Sequence, residues 1–287
     1  MFLVAKDKIG KSILAQQIAF CISCGEMFLG EYYTQKGLVI YVQVEGSLPQ
    51  TRDNFYNMME GIHLNTDNLK WIYDFGLPLN REDGLKKLCG LIDEQLKEKG
   101  LPAPKLIILD PLYMCIIGDL NKQEDATLMC RNFRRLSDRY DCALLITHHE
   151  HKLRLNPLGE PIFEGDDAIY GSFVWKAFAD HTLLLTIQQD GSRKLTCKTQ
   201  RTGKVVGKIE MSLLEPTPLL FEQKLDISTT ARKVEVYMEG KKGVTIEDIA
   251  RELMIQWRSA HQAITNLRKA NKVEHMGITR PRVWRLK

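Results

Sequence analysis

Short apolar runs that alternate with helical patterns constrain the fold of this 287-residue chain more than any other feature. The runs cover residues 2–5, 38–44, 105–109 and 143–147, and the helical patterns cover residues 47–59, 81–99 and 123–140. Continuous apolar strands between helices are typical of a parallel sheet that is covered on both faces. Two further runs, at 181–186 and 193–199, flank the turn "QDGS" and predict a hairpin at the far edge of the sheet. The sequence therefore predicts an α/β fold with a mainly parallel sheet flanked by helices.

The distribution of charge divides the chain into two parts. The formal net charge is +4, but residues 226–287 contain 13 Lys or Arg against 7 Asp or Glu, so the remainder is close to −2. The segment 215–225 begins with Glu-Pro-Thr-Pro, a composition typical of a linker. We therefore predict a large domain over residues 1–214, a linker over 215–225 and a small basic domain over 226–287.

Cysteine usage and hydropathy bear on the cellular compartment. Seven cysteines are scattered without the spacing of a disulfide framework, which fits a reducing cytosol. Cys21 and Cys24 form a C-x-x-C in an apolar run, where buried reduced thiols are favoured over a metal or redox role. The most hydrophobic internal run, at 106–117, is interrupted by Asp110 and is too short to cross a membrane. We expect a cytoplasmic protein with no membrane partner.

The first apolar run leads directly into the segment "VAKDKIGKS", which starts at Val4. Gly10-Lys11-Ser12 opens a helix immediately after a strand, and this context is typical of a phosphate-binding loop. In such a loop the Lys11 ammonium reaches the phosphates and the Ser12 hydroxyl binds Mg²⁺, while backbone N–H groups surround the phosphates. Ala5 stands where the pattern expects glycine, and alanine fits there if its φ stays negative. The alternative is a solvated lysine at the start of a helix. The predicted nucleotide-binding residues are Lys8, Ile9, Gly10, Lys11, Ser12 and Ile13.

Polar residues follow three of the apolar runs at the point where each strand ends. Asp110 is expected to hold Mg²⁺ together with Ser12, because the carboxyl ends of parallel strands meet at one ligand-binding edge. Glu45 is expected to act as the base that orients or deprotonates a water molecule. For both carboxylates the alternative is a turn cap.

The third strand-end residue, His148, opens the segment "HHEH". It is expected to sense the terminal phosphate, and the alternative is a histidine with a structural hydrogen bond. Three histidines in an extended H-H-x-H cannot direct their rings at one point without a turn, which argues against a zinc site.

The segments "GKSILAQQIA", "VIYVQVEGSLPQTRDNF", "KLIILDPL", "LLITHHEHK", "IYGSFVWKAFADHTLLL" and "SRKLTCKTQRTGK" carry a family resemblance. Over about residues 1–214 the chain resembles RecA-like P-loop ATPases, specifically the RepA-type hexameric replicative helicases. The resemblance implies ATP and Mg²⁺ as cofactors, Glu45 as the catalytic base with Arg52 in the same motif, and catalytic roles for Lys11, Asp110 and His148.

The resemblance also implies contacts with single-stranded DNA and with neighbouring subunits. The loop at 152–171 would line the central channel of a ring, with Lys152 and Arg154 on the DNA. Lys198 and Arg201 are the nearest candidates for fingers that reach into the neighbouring subunit's nucleotide site.

The basic domain looks like a winged helix-turn-helix. Its first helix starts at a Thr245 cap with an acidic residue three positions later, and its second helix covers 258–270. Segments 272–276 and 282–286 form a predicted hairpin. In such a motif the second helix enters the major groove of duplex DNA and the hairpin touches the backbone. A protein-docking platform is the alternative. The expected DNA-binding residues are Arg258, Gln262, Asn266, Arg268, Lys269, Arg280 and Arg282.

Together these patterns predict a Mg²⁺-dependent ATPase that acts on DNA. The sharpest form of this prediction is a ring-forming, hexameric RepA-type DNA replication helicase of a mobile element, phage or plasmid. A recombination mediator or regulator without unwinding activity needs the same hydrolytic residues and stays open. A non-enzymatic DNA-binding protein with a degenerate loop is the third alternative, and the presence of Lys11, Glu45 and Asp110 together argues against it.

Overall fold

The computed structural model describes residues 1–29, 31–59, 66–150, 154–155, 161–162, 171–200, 207–214, 219–223, 229–255, 257–270, 272–276 and 283–287. The chain divides into two compact units, Met1–Gln223 and Lys224–Lys287. No helix in these described ranges is long and apolar enough to cross a membrane.

The first unit contains one nine-stranded sheet and a two-stranded one. Its strands are β1 (Phe2–Ala5), β2 (Val39–Gln43), β3 (Leu69–Tyr73), β4 (Leu106–Asp110), β5 (Ala143–His149), β6 (Arg154–Leu155), β7 (Pro161–Ile162), β8 (His181–Ile187), β9 (Arg193–Gln200), β10 (Ile209–Leu214) and β11 (Leu220–Gln223). The large sheet has the order β11-β10-β9-β8-β1-β5-β4-β2-β3, and β6 pairs with β7. Neighbours from β8 to β3 are parallel, and those from β8 to β11 are antiparallel. The predicted α/β class with a mainly parallel sheet is confirmed.

The helices of the first unit include one that was not predicted, at Phe173–Phe178, while the three predicted at 47–59, 81–99 and 123–140 match to within one residue at each end. The helices are α1 (Lys11–Cys24), α2 (Leu48–Met59), α3 (Glu82–Lys99), α4 (Gln123–Tyr140) and the short α5 (Phe173–Phe178), with a 3₁₀ turn at Leu112–Cys115. The hairpin of β8 and β9 is correct, but its predicted place at the sheet edge is wrong. β10 and β11 extend the sheet beyond it, and their short mixed sequences carry little strand signal.

Both faces of the sheet are covered, which explains why its central strands are continuous apolar runs. The side chains on one face of strands β1 to β4 pack against Leu88 of α3 and Phe133 of α4. Those on the other face pack with Leu14 and Ala19 of α1. This two-sided packing fixes the register of the parallel strands and aligns their carboxyl ends.

The second unit comprises α6 (Thr229–Met238), β12 (Val244–Thr245), α7 (Ile246–Glu252), α8 (Trp257–Lys269), β13 (Val273–His275) and β14 (Val283–Leu286). The predicted cap is confirmed, because the Asp248 N–H donates to Thr245 Oγ1 at 3.1 Å and the Thr245 N–H donates to Asp248 Oδ2 at 3.2 Å. The antiparallel hairpin is confirmed as well, whereas α6 was not predicted.

Candidate active site

A pocket of about 640 Å³ lies at the carboxyl end of the parallel strands. The phosphate-loop segment follows β1, Glu45 follows β2 and Asp110 ends β4, so the sheet order brings them together. This edge is where ligands bind in open α/β sheets. The lining residues are Lys6, Asp7, Lys8, Gly10, Lys11, Ser12, Ile13, Glu45, Asp110, Pro111, Tyr113 and His149.

The loop before α1 has the backbone of an anion cradle. Gly10 has φ +100°, and a Cβ at this position would lie 2.7 Å from Cζ of Phe221, so only glycine fits. No side chain caps α1 at Gly10, and its first turn contains no acidic residue. The positive end of the helix dipole is therefore directed to an incoming anion.

Ala5 satisfies the condition that the sequence placed on it. It is fully buried as the last residue of β1 and pairs with His149 on one side and Leu185 on the other. Among the described residues, the non-glycine positions with positive φ are Lys8, Leu29, Asp141 and Met254, and Ala5 is not one of them. The missing first glycine therefore imposes no backbone strain on the loop.

Lys11 points into the pocket rather than into bulk water. Lys11 is only 8% exposed, and its Nζ lies 3.5 Å from His149 Nδ1. Burial lowers the pKa of Lys11, while the negative charges of Asp110, Asp7 and Glu45 oppose that shift. This environment contradicts the alternative of a solvated lysine at a helix start.

Asp110 is 1% exposed and is oriented by two hydroxyl groups from neighbouring strands. Tyr41 of β2 donates to Oδ2 at 2.6 Å, and Thr147 of β5 donates to Oδ1 at 2.5 Å. Burial and the Asp110 charge raise the pKa of Tyr41, which keeps the phenol a donor. The Ser12 hydroxyl and the Asp110 carboxylate, which both line the pocket, supply the oxygen ligands that Mg²⁺ prefers. The donor set fits Mg²⁺.

Glu45 is exposed to the pocket, and three side chains donate hydrogen bonds to Glu45 or to the next residue. The Gln43 amide donates to the Glu45 carbonyl at 2.6 Å, and the Tyr73 hydroxyl donates to the Gly46 carbonyl. The Tyr113 hydroxyl donates to the Glu45 carboxylate itself. Glu45 is therefore an accessible carboxylate on a fixed backbone.

The structure places the other histidine of the pair in the site. His148 is fully buried, its ring lies 6.1 Å from the rings of both Phe2 and Trp175, and the structure does not bring this predicted phosphate sensor to the pocket lining. β5 continues through His149, and successive strand residues point to opposite faces of the sheet.

His149 lines the pocket, with its Nδ1 2.6 Å from Asp7 Oδ1. Burial and the Lys11 charge lower the pKa of His149, and Asp7 opposes this. Within the described part of the chain no group of three His, Cys, Asp or Glu side chains could hold a metal ion.

The remaining site residues of the first unit are only partly described. Lys198 lies on β9. Burial raises the pKa of Glu150, and the charges of Lys6 and Lys198 oppose that shift. Arg154 opens β6, and its side chain is not described. Lys152 and Arg201 lie outside the described residues.

In the second unit, α8 buries the predicted apolar side and exposes most of the opposite side. Arg268 and Lys269 are exposed, Gln262 is half-buried, and its amide donates to Asn266 at 3.0 Å. Asn266 itself is 7% exposed, so its prediction as a surface residue is wrong. It lies one turn after Ala263 and next to Leu267, and the helix carries it to the buried side. The Arg258 side chain, Arg280 and Arg282 lie outside the described residues.

Several residues that contact the predicted site residues were not predicted from the sequence. Tyr41 and Thr147 lie inside apolar strands, where they resemble core residues, and Tyr113 follows Asp110 by three positions. His149 follows His148 directly, and the alternation of side chains places the two rings on opposite faces only because β5 continues through His149. No sequence signal marks Tyr113.

Comparison with known protein families matches residues 1–154 to a family described as an AAA domain. The match covers more than half of the 287 residues and ends just after the pocket histidine. No curated protein matches the chain.

Proposed function

The chain belongs to the AAA-domain family, a family of the P-loop ATPase type, and from that premise we propose that it hydrolyses Mg·ATP to act on DNA. One observation carries the proposal. Lys11, Asp110 and Glu45 reach one pocket from three separate segments of the chain, at the carboxyl edge of a parallel sheet.

Each of these residues supplies a different part of phosphoryl transfer. Lys11 and the start of α1 bind the β- and γ-phosphates, because an ammonium and a helix N-terminus both attract anions. Ser12 and Asp110 would hold Mg²⁺, which neutralises charge on the phosphate oxygens.

Glu45 acts on the nucleophile. It accepts a hydrogen bond from a water molecule and then the proton as the water oxygen bonds to the γ-phosphorus. The bond from that phosphorus to the bridging oxygen breaks, and its electron pair leaves with ADP.

We further propose the finer assignment to a hexameric RepA-type replicative helicase of a mobile element, phage or plasmid. The support is the resemblance of the segments around Lys11, Glu45 and Asp110, with Lys198 and Arg201 as intersubunit fingers. Single-stranded DNA would contact the loop that contains Lys152 and Arg154. A recombination mediator or regulator remains the second candidate, because it requires the same hydrolytic residues.

The second unit is proposed to bind duplex DNA as a winged helix-turn-helix. The support is its order of elements, with the helices α6, α7 and α8 followed by an antiparallel hairpin, and its excess of basic residues. Exposed Arg268 and Lys269 on α8 are suited to phosphate contacts.

The test is steady-state phosphate release from Mg·ATP without DNA, with single-stranded DNA and with duplex. Lys11→Ala is expected to lower turnover by about a hundredfold or more, because it removes a charge that stabilises the transition state. Lys87→Ala is the matched control, since Lys87 lies on the surface of α3 and forms a salt bridge with Asp74.

The outcomes separate the candidates. Turnover that rises with single strands supports the translocating helicase, and turnover indifferent to DNA favours the regulator. Normal turnover in Lys11→Ala would contradict the hydrolytic assignment.

A further inference from the structure

Tyr113 lines the pocket. The hydrolysis proposed above gives its side chain no role. Tyr113 lies in the 3₁₀ turn Leu112–Cys115, directly after β4. β4 runs between β2, which leads to Glu45, and β5, which ends at His149. This topology gives Tyr113 a neighbour on each side.

The pairing of β2 with β4 brings Tyr113 to Glu45. Gln43 is the register partner of Asp110, and the Val44 N–H donates to the Asp110 carbonyl at 3.0 Å. The two segments therefore leave the sheet side by side, and the Tyr113 hydroxyl donates to Oε1 of Glu45.

The other side of Tyr113 is packed against a histidine ring. The centroids of the Tyr113 and His149 rings are 4.9 Å apart, with the planes tilted by 49°. His149 is in turn bonded to Asp7 of the phosphate loop at 2.6 Å. Burial, together with the bond to Glu45, raises the pKa of Tyr113, so the phenol keeps its proton near neutral pH.

A carboxylate held by one fixed donor has a defined orientation. The Glu45 side chain is exposed, and its pocket-facing rotamers would otherwise be averaged by solvent. A general base must stay within hydrogen-bond reach of the water that it activates. We propose that Tyr113 is a positioning residue that holds Oε1 of Glu45 and leaves Oε2 to the hydrolytic water.

This inference rests on the proposed hydrolysis and concerns how its base is oriented. Tyr113→Phe removes the hydroxyl and retains the ring that packs on His149. We expect kcat to fall by roughly tenfold or more, with KM for ATP and the Kd of a fluorescent ATP analogue unchanged within about twofold. A residue that only supported the pocket wall would change KM and Kd as well.

Tyr140→Phe is the matched control, because its hydroxyl also donates to a carboxylate, that of Asp93, and neither residue lines the pocket. We expect its kcat to stay within about threefold of wild type. Equal losses in the two variants would overturn the inference, since the loss of a hydroxyl–carboxylate bond away from the pocket would then have the same effect. A wild-type or raised kcat in Tyr113→Phe, or a loss confined to KM, would overturn it too.

Glu45→Gln separates this inference from the function on which it rests. Turnover near the uncatalysed level in Glu45→Gln, together with normal turnover in Tyr113→Phe, leaves Glu45 as the base and removes only the role of Tyr113. Wild-type turnover in Glu45→Gln would instead overturn the proposed base. Thermal unfolding midpoints and nucleotide-analogue binding of all three variants establish that each is folded.

Discussion

In the first unit the candidate residues Lys11 and Asp110 are buried, whereas in the second unit the candidate residues Arg268 and Lys269 lie on the exposed side of α8. Asp110 has hydroxyl donors on both oxygens, from strands that flank its own. On α8 the exposed Arg268 guanidinium lies 5.9 Å from the centroid of the Trp284 ring of β14. The buried carboxylate is therefore oriented from two sides within the core, whereas the exposed cations of α8 lie at the surface.

This difference decides how a substitution acts. Removal of a buried partner leaves other buried polar groups unsatisfied, at a cost of about 1–3 kcal/mol for each group, and also alters the site. Removal of an exposed cation mainly changes long-range attraction, which salt screens. The expected effects should therefore be large in the first unit and graded in the second.

The strongest test of the contrast is Asp110→Asn. The amide keeps the size of the carboxylate but removes its charge, and its NH₂ group would face a hydroxyl that now donates to the Asp110 oxygens. We expect hydrolysis to fall by about a hundredfold or more, because the ligand for Mg²⁺ is lost. Phosphate release over a Mg²⁺ titration measures this.

Asp119→Asn is the control for Asp110→Asn, since Asp119 is exposed and its Oδ1 accepts hydrogen bonds from the backbone N–H and the side-chain amide of nearby Asn121. Retention of full Mg²⁺-dependent turnover in Asp110→Asn would show that the buried carboxylate is not part of the metal site.

The same contrast explains how much of the molecule the sequence could predict. Strand ends were predictable, because apolar runs of parallel strands bring Lys11, Glu45 and Asp110 to one edge regardless of detail. Orientation at the end of a strand was not, since it depends on whether β5 stops at Thr147 or continues to His149. Because β5 pairs through His149, His148 is directed into the core and His149 into the pocket.

Contacts between distant segments were also beyond the sequence pattern. Tyr113 and Glu45 are 68 positions apart, and nothing in either segment indicates the hydroxyl–carboxylate bond. On α8 the helical period identified Ala263 and Leu267 as core but not Asn266, because a residue at the margin of the apolar stripe is buried or exposed according to what packs beside it.

His148 is buried in the core and His149 lines the pocket, so substitution of each histidine tests which of the two positions matters for hydrolysis. For His148→Ala we expect the free energy of unfolding to fall by about 2–4 kcal/mol, because the ring between Phe2 and Trp175 leaves a cavity. Hydrolysis per folded molecule should remain.

For His149→Ala we expect hydrolysis to fall by about tenfold, since Lys11, Asp7 and Tyr113 lose their common neighbour, with the free energy of unfolding changed by less than about 1 kcal/mol.

Denaturant unfolding and phosphate release on the same two histidine preparations give both quantities. The reverse pattern, with His148→Ala folded but inactive and His149→Ala active, would restore the original assignment of the sensing residue to His148.

The smallest expected effect belongs to the exposed side of α8. If this surface contacts duplex phosphates, Lys269→Ala should weaken duplex binding by about fivefold at roughly 0.15 M salt, and should reduce the slope of log affinity against log salt by about 1. Fluorescence anisotropy with a labelled duplex measures both values. Arg134→Ala removes one charge from an exposed pair with Asp138 on α4 and serves as the control. Equal losses in the two variants would mean that net charge alone attracts DNA, and an unchanged slope in Lys269→Ala would favour protein docking at α8.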